Sequence, residues 1–174
     1  ILGYFCALRL DACPQRAVND FLCGLFHDLP EVLTRDIISP IKRSVAGLDE
    51  LIKDIEKRQI AEKILPLLPG EWHKEILYFA ENEFADRAIV DGKIKLLSHP
   101  EEISEKYNED QYSAVDGSIL KGCDHLAAFV EAWLSIRHGI TSQHLREGEE
   151  KIGEMYKSKS IAGISFAEIF GKFN

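Results

Sequence analysis

Apolar residues recur every three or four positions along most of the chain, and nearly every run is closed by a proline or a glycine. That rhythm puts one apolar stripe on a 3.6-residue helix and excludes a protein built mainly of strands, whose side chains alternate with period two. Ile1, Leu2, Tyr4, Phe5, Leu8 and Leu10 read as the end of a helix already under way. Pro14 suits the first turn of a second helix, whose apolar face is Ala17, Phe21, Leu22, Leu25 and Phe26. Pro30 has no N–H to donate, so this helix should end or kink near Asp28–Leu29. Residues 31–41 form a short turn or helix closed by Pro40, and residues 48–65 a charged amphipathic helix stopped by Pro66. Trp72, Ile76, Leu77, Phe79, Ala80 and Phe84 mark another helix, and Pro100 precedes a short acidic one. Ser113 or Asp116 can cap a long helix through Leu120, Leu126, Phe129, Val130, Trp133 and Ile136 that stops at Gly139. Thr141 can cap one more, through Leu145, Ile152 and Met155, and residues 161–173 read as a last helix.

One segment breaks the pattern. Two short apolar arms over residues 88–97 flank Asp91–Gly92, a dipeptide that supplies the positive φ angles of a tight hairpin turn. The expected fold is therefore all-α, a helical bundle with a small β-hairpin insertion. No repeat, linker or change of composition divides residues 1–174, so one domain is expected. A chain of 174 residues is long enough to bury roughly 70% of its unfolded surface without disulfides or a structural metal.

Charge narrows the partners. Twenty-one basic against 29 acidic residues leave a net charge of −8. Non-specific nucleic-acid binding and adhesion to an anionic membrane both need a cationic footprint, so neither is expected. The most apolar stretch, residues 126–136, is interrupted by Glu131 and is too short to span a bilayer. Cys6, Cys13, Cys23 and Cys123 form no CxxC pair and no regular framework. They read as small buried hydrophobes in a reducing, cytoplasmic setting.

The chemistry-bearing stretch is Gly24-Leu-Phe-His-Asp-Leu-Pro-Glu-Val-Leu-Thr-Arg-Asp36. Adjacent His27 and Asp28 at a helix end offer an imidazole nitrogen and a carboxylate to one cation. Glu31 lies one turn beyond His27, and Asp36 two turns beyond Asp28. Far along the chain, Asp124 sits in an otherwise small or apolar run, Leu120-Lys-Gly-Cys-Asp-His-Leu-Ala-Ala-Phe129, where an unpaired carboxylate would be expensive. Each residue also has a plainer reading. Asp28 can cap a helix, Glu31 and Asp36 can be solvated first-turn acids, and Asp124 can pair with Lys121.

Taken together, His-Asp-x-x-Glu-x-x-x-x-Asp followed about a hundred residues later by Asp-x-Leu on an apolar helix resembles the HD-domain metal-dependent phosphohydrolases. The run from His27 to Lys42, with its Thr34, Asp36 and Pro40-Ile-Lys42, most resembles the 5'-deoxynucleotidase-like branch. The resemblance is strong over residues 20–43 and 119–133 and thin elsewhere. It implies His27, Asp28 and Asp124 as ligands of one divalent metal ion (Mn, Co, Mg, Zn or Fe), because the extra histidines of two-metal relatives are missing. It places Glu31 and Asp36 beside the phosphate and its attacking water as catalytic groups. Lys121, one turn before Asp124 on the same face, and Lys42 are the expected substrate-binding cations, each with the plainer reading of a solvated or carboxylate-paired lysine.

The implied substrate is a phosphorylated small molecule, a nucleoside 5'-monophosphate first of all. Other HD phosphodiesterase or pyrophosphohydrolase chemistry is an alternative, as is a non-catalytic regulatory or dimerisation module, and a homodimer is compatible with any of them. The family pattern also has an earlier histidine on the preceding helix. None precedes His27 here, so the domain is expected to lack its N-terminal helix segment.

Overall fold

The computed structural model describes residues 1–34, 47–140 and 142–173. In chain order the elements are α1 (Leu2–Arg9), α2 (Pro14–Phe26), a 3-10 turn (Leu29–Val32), α3 (Leu48–Gln59), α4 (His73–Ala80), β1 (Arg87–Val90) and β2 (Lys93–Leu96). They continue with α5 (Glu101–Lys106), α6 (Gly117–Arg137), α7 (Gln143–Tyr156), β3 (Ser160–Ile161), β4 (Ile164–Ser165) and α8 (Phe166–Phe170). The fold is all-α with small antiparallel hairpins, as the periodicity requires. No described helix is long and apolar enough to cross a membrane.

The chain forms two compact units, Ile1–Gly24 with Phe84–Asn174, and Leu25–Glu83. The core of the first is α6, whose Ile119, Cys123, Leu126 and Phe129 pack with Tyr156, Ile161, Ile164, Phe166 and Phe170. Val130 and Trp133, apolar positions of the same predicted helix, are half-buried against that core. The β1–β2 hairpin pairs Ile89 with Ile94 and Val90 with Lys93 around Asp91–Gly92, both at positive φ (51° and 71°). This is the turn predicted from the dipeptide. Its Ala88 packs with Ile103, Tyr107 and Ala114 in a smaller cluster. In the second unit, Ile60, Leu65 and Ala80 form a small core with Leu29, Ile64, Ile76 and Leu77.

A buried polar network fastens α2 to the start of α6. Arg16, Asn19, Asp20 and Asp116 are each at most 1% exposed. Arg16 donates through Nε and Nη2 to both carboxylate oxygens of Asp116 (2.7 and 2.8 Å), the bidentate geometry that makes guanidinium–carboxylate pairs strong. Asp116 stands at the N-cap of α6 but its side chain makes no capping bond. Carboxylates from elsewhere take over that duty. Asp20 Oδ1 accepts from the Asp116 N–H, and Asp86 Oδ1 accepts from the Ser118 N–H, both at 2.9 Å. The sequence predicts Ser113 or Asp116 as the direct cap. Ser113 instead closes a 3-10 turn at φ 41°.

Several expectations are corrected. The helix expected over residues 48–65 ends at Gln59 and widens into a π turn, Ile60–Ile64, before a 3-10 turn, Leu65–Leu67. Pro66 is the reason, since its ring collides with the carbonyl four residues back and it offers no donor. Trp72 lies in a 3-10 turn before α4, and Phe84 lies beyond the end of that helix. Residues 161–173 are not one helix: Ile161 and Ile164 pair across Ala162–Gly163, both at positive φ, before α8 begins. The cap of α7 is Ser142, whose hydroxyl accepts from the Leu145 N–H at 3.2 Å. Thr141, Pro40, Asp36 and Lys42 lie outside the described residues.

Candidate metal and phosphate site

The helical pattern of α2 stops at Phe26, and the chain then turns through His27 and Asp28 into Leu29–Val32, with Pro30 in the first positions of that 3-10 turn. His27 Nε2 lies 3.3 Å from Asp28 Oδ2. The imidazole is largely covered (21% exposed) while the carboxylate is open (74%). Asp28 occupies the N-cap position of the 3-10 turn, yet its side chain makes no capping hydrogen bond. Its backbone carbonyl accepts from the Glu31 N–H at 3.0 Å, which leaves the carboxylate out of the turn's hydrogen bonding. The plain capping role for Asp28 therefore does not hold.

Glu31 follows in the 3-10 turn and is half-buried. It does not continue α2, so an α-helical i,i+4 relation to His27 does not describe its position. Thr34, at the end of this stretch, donates to the buried Glu56 of α3 at 3.1 Å, tying the motif-bearing loop to that helix.

Asp124 and Lys121 lie on α6, in the other unit. Asp124 is half-buried and Lys121 exposed. The neighbouring His125 turns away toward α7, where its Nδ1 meets the Tyr156 hydroxyl at 2.9 Å. Tyr156 in turn stacks on Phe170, with centroids 4.8 Å apart and planes 1° from parallel. Burial holds His125 below the ordinary imidazole value; the Asp124 charge opposes this, and Lys121 and Lys159 reinforce it. Burial likewise raises the Tyr156 hydroxyl, followed by the Asp124 and Cys123 charges. His125 is thus a packing residue, as its position 100° around the helix from Asp124 suggests.

Lys159, with its Nζ 5.0 Å from the Tyr156 ring centre and its charge acting on His125, is a cation that the sequence does not single out. Nothing in its local sequence marks it. The turn after α7 brings it there.

A divalent ion is what the resemblance implies, and the donor chemistry can be tested against the residues present. A covered imidazole nitrogen beside an open carboxylate oxygen suits a borderline divalent ion. His27 and Asp28 fit as two ligands of one such ion. Among the described residues no group of three or more His, Cys, Asp or Glu comes together as a metal site. The sequence model of the HD domain matches residues 1–153. No curated protein and no solved structure matches the chain.

Proposed function

The chain belongs to the HD-domain family, and on that footing we propose that it is a metal-dependent phosphohydrolase acting on nucleoside 5'-monophosphates, with the 5'-deoxynucleotidase-like branch as its nearest type. The observation that carries this reading is the His27–Asp28 pair, an imidazole nitrogen and an otherwise uncommitted carboxylate 3.3 Å apart at the exit of α2. His27, Asp28 and Asp124 are the residues that would hold the ion. When bound, such an ion neutralises phosphate oxygens and makes a coordinated water more acidic.

The chain's own residues divide the remaining work. Glu31, three residues after Asp28, orients the attacking water and takes its proton. Asp36 assists it or holds a sugar hydroxyl. Lys121 and Lys42 supply positive charge to the phosphate. The net charge of −8 does not oppose this role, because local cations dominate the field at a phosphate site.

The test separates metal from chemistry. Metal content of the purified protein should be about one divalent ion per chain and should vanish in Asp28→Ala and in Asp124→Ala. Glu31→Gln should keep the metal and release phosphate from deoxynucleoside 5'-monophosphates about 10²–10⁴ times more slowly. Metal retained by both alanine variants would place the site elsewhere, and an undiminished Glu31→Gln rate would remove Glu31 from the chemistry. A metal-loaded protein inert toward mononucleotides, cyclic nucleotides and pyrophosphates would favour a regulatory module.

A further inference from the structure

Two of the four cysteines meet. Cys6 of α1 and Cys123 of α6, 117 residues apart in sequence, place their sulfur atoms 3.7 Å from each other. The approach is built into the helix packing. Gly3, one turn before Cys6, sits where any Cβ would run into the Leu120 side chain, so α1 lies unusually close to α6 at this point. We propose that Cys6 and Cys123 are a reversible oxidation site, closing to a disulfide that ties α1 to the residue preceding Asp124.

A disulfide needs its sulfurs at about 2.05 Å, so closure requires an approach of about 1.7 Å, shared between two side-chain rotations. Cys6 is the half-exposed partner and Cys123 is buried at 7% exposure, which assigns their roles. The hydrogen bond from the Cys123 thiol holds the Cys6 thiol below its ordinary value, favouring Cys6 as the nucleophile. The oxidant is hydrogen peroxide. The Cys6 thiolate attacks one oxygen, the O–O bond breaks, and Cys6 becomes a sulfenic acid while the other oxygen departs as hydroxide and takes up a proton to form water. The Cys123 sulfur then attacks the Cys6 sulfur, the S–O bond breaks, and a second water departs with the Cys123 proton. Two thiols are oxidised and one peroxide is reduced to two waters. A dithiol reductant reverses the reaction by thiol–disulfide exchange. The site uses Cys6 and Cys123, two of the four thiols.

The experiment treats the folded, reduced protein with stoichiometric hydrogen peroxide, then denatures it in an alkylating reagent. Two of the four thiols should be lost, and the intact mass should fall by two hydrogens. Tryptic digestion should join the peptide ending at Arg9 to the peptide of residues 122–137, and dithiothreitol should separate them. Cys6→Ser should keep all its remaining thiols under the same treatment, whereas Cys13→Ser should still lose two. Cys123→Ser provides a second check if Cys6→Ser fails to fold. Four alkylated thiols after peroxide, a sulfinic acid at Cys6 with no linked peptide, or a link involving Cys13 or Cys23 would each overturn the proposal.

Discussion

Asp20 sits in surroundings that oppose its charge. It is 1% exposed, its Oδ1 accepts from the Asp116 N–H, and its Oδ2 has no hydrogen-bond partner among the described residues. Burial first, and then the negative charge of Asp116, hold its carboxyl well above the ordinary range. Arg16 opposes the shift only weakly, because its guanidinium is committed to Asp116. An unfolded aspartate gives up its proton near pH ~4, while folded Asp20 keeps its proton to higher pH. Between those two values the folded state binds the extra proton, so stability falls as pH rises. Asp20→Asn keeps an acceptor for the Asp116 N–H without a titrating group. Its urea midpoint should therefore gain on that of the wild type as pH rises from ~4. Parallel pH profiles for the two proteins would show that Asp20 titrates as an ordinary carboxylate.

Among the helices, close packing at glycines decides what α6 will tolerate. Gly117, its first residue, abuts the backbone of Phe84 and Ala85, so an added Cβ has nowhere to go unless main chain moves. Gly122 faces the Phe166 ring, an obstacle that a side-chain shift can relieve in part. Gly148, within α7, has open space where its Cβ would be. Gly117→Ala should therefore cost about 1–3 kcal/mol or more in urea denaturation. Gly148→Ala should add up to about 1 kcal/mol, because alanine removes a backbone entropy penalty without any contact. Equal effects of the two substitutions would contradict the packing seen around Gly117. At the same scale, the π turn before Pro66 shows how a helix absorbs a proline that it cannot accommodate in α geometry.

For the molecule as a whole, the two units differ in how much apolar surface their described residues bury. The unit containing α6 has a core of nine buried residues, with further side chains packed on it, and a second cluster beside β1. Among the described residues, the unit of Leu25–Glu83 has a cluster of three buried residues, with Ile52 and Phe79 also buried, and its Leu51, Leu67 and Trp72 are exposed. Local opening free energy follows buried apolar contact. Native-state hydrogen exchange should find the slowest amides in the middle of α6 and markedly faster ones in α3. Slower exchange in α3 than in α6 would reverse this ranking. The His27–Asp28 pair lies in the unit of Leu25–Glu83.

The local chemistry of the chain was sufficient for much of this description. Period 3.6 specified helices, Pro14 and Pro30 set the limits of α2, Asp91–Gly92 specified its hairpin, and the spacing of His27, Asp28, Glu31 and Asp36 carried the family. These are short-range effects, in which a residue's own backbone preference or its nearest neighbours decide the outcome. What only the tertiary structure decided depends on groups far apart in sequence. Asp116 looked like a cap until Arg16, 100 residues away, claimed its carboxylate and Asp20 and Asp86 took over the start of α6. Cys6 and Cys123 read as isolated hydrophobes, and Lys159 as nothing in particular. The close approach of α1 to α6 and the turn after α7 gave those residues partners. No local pattern encodes such pairings, because each arises from where two elements cross, and that is set by the sum of the packing around them.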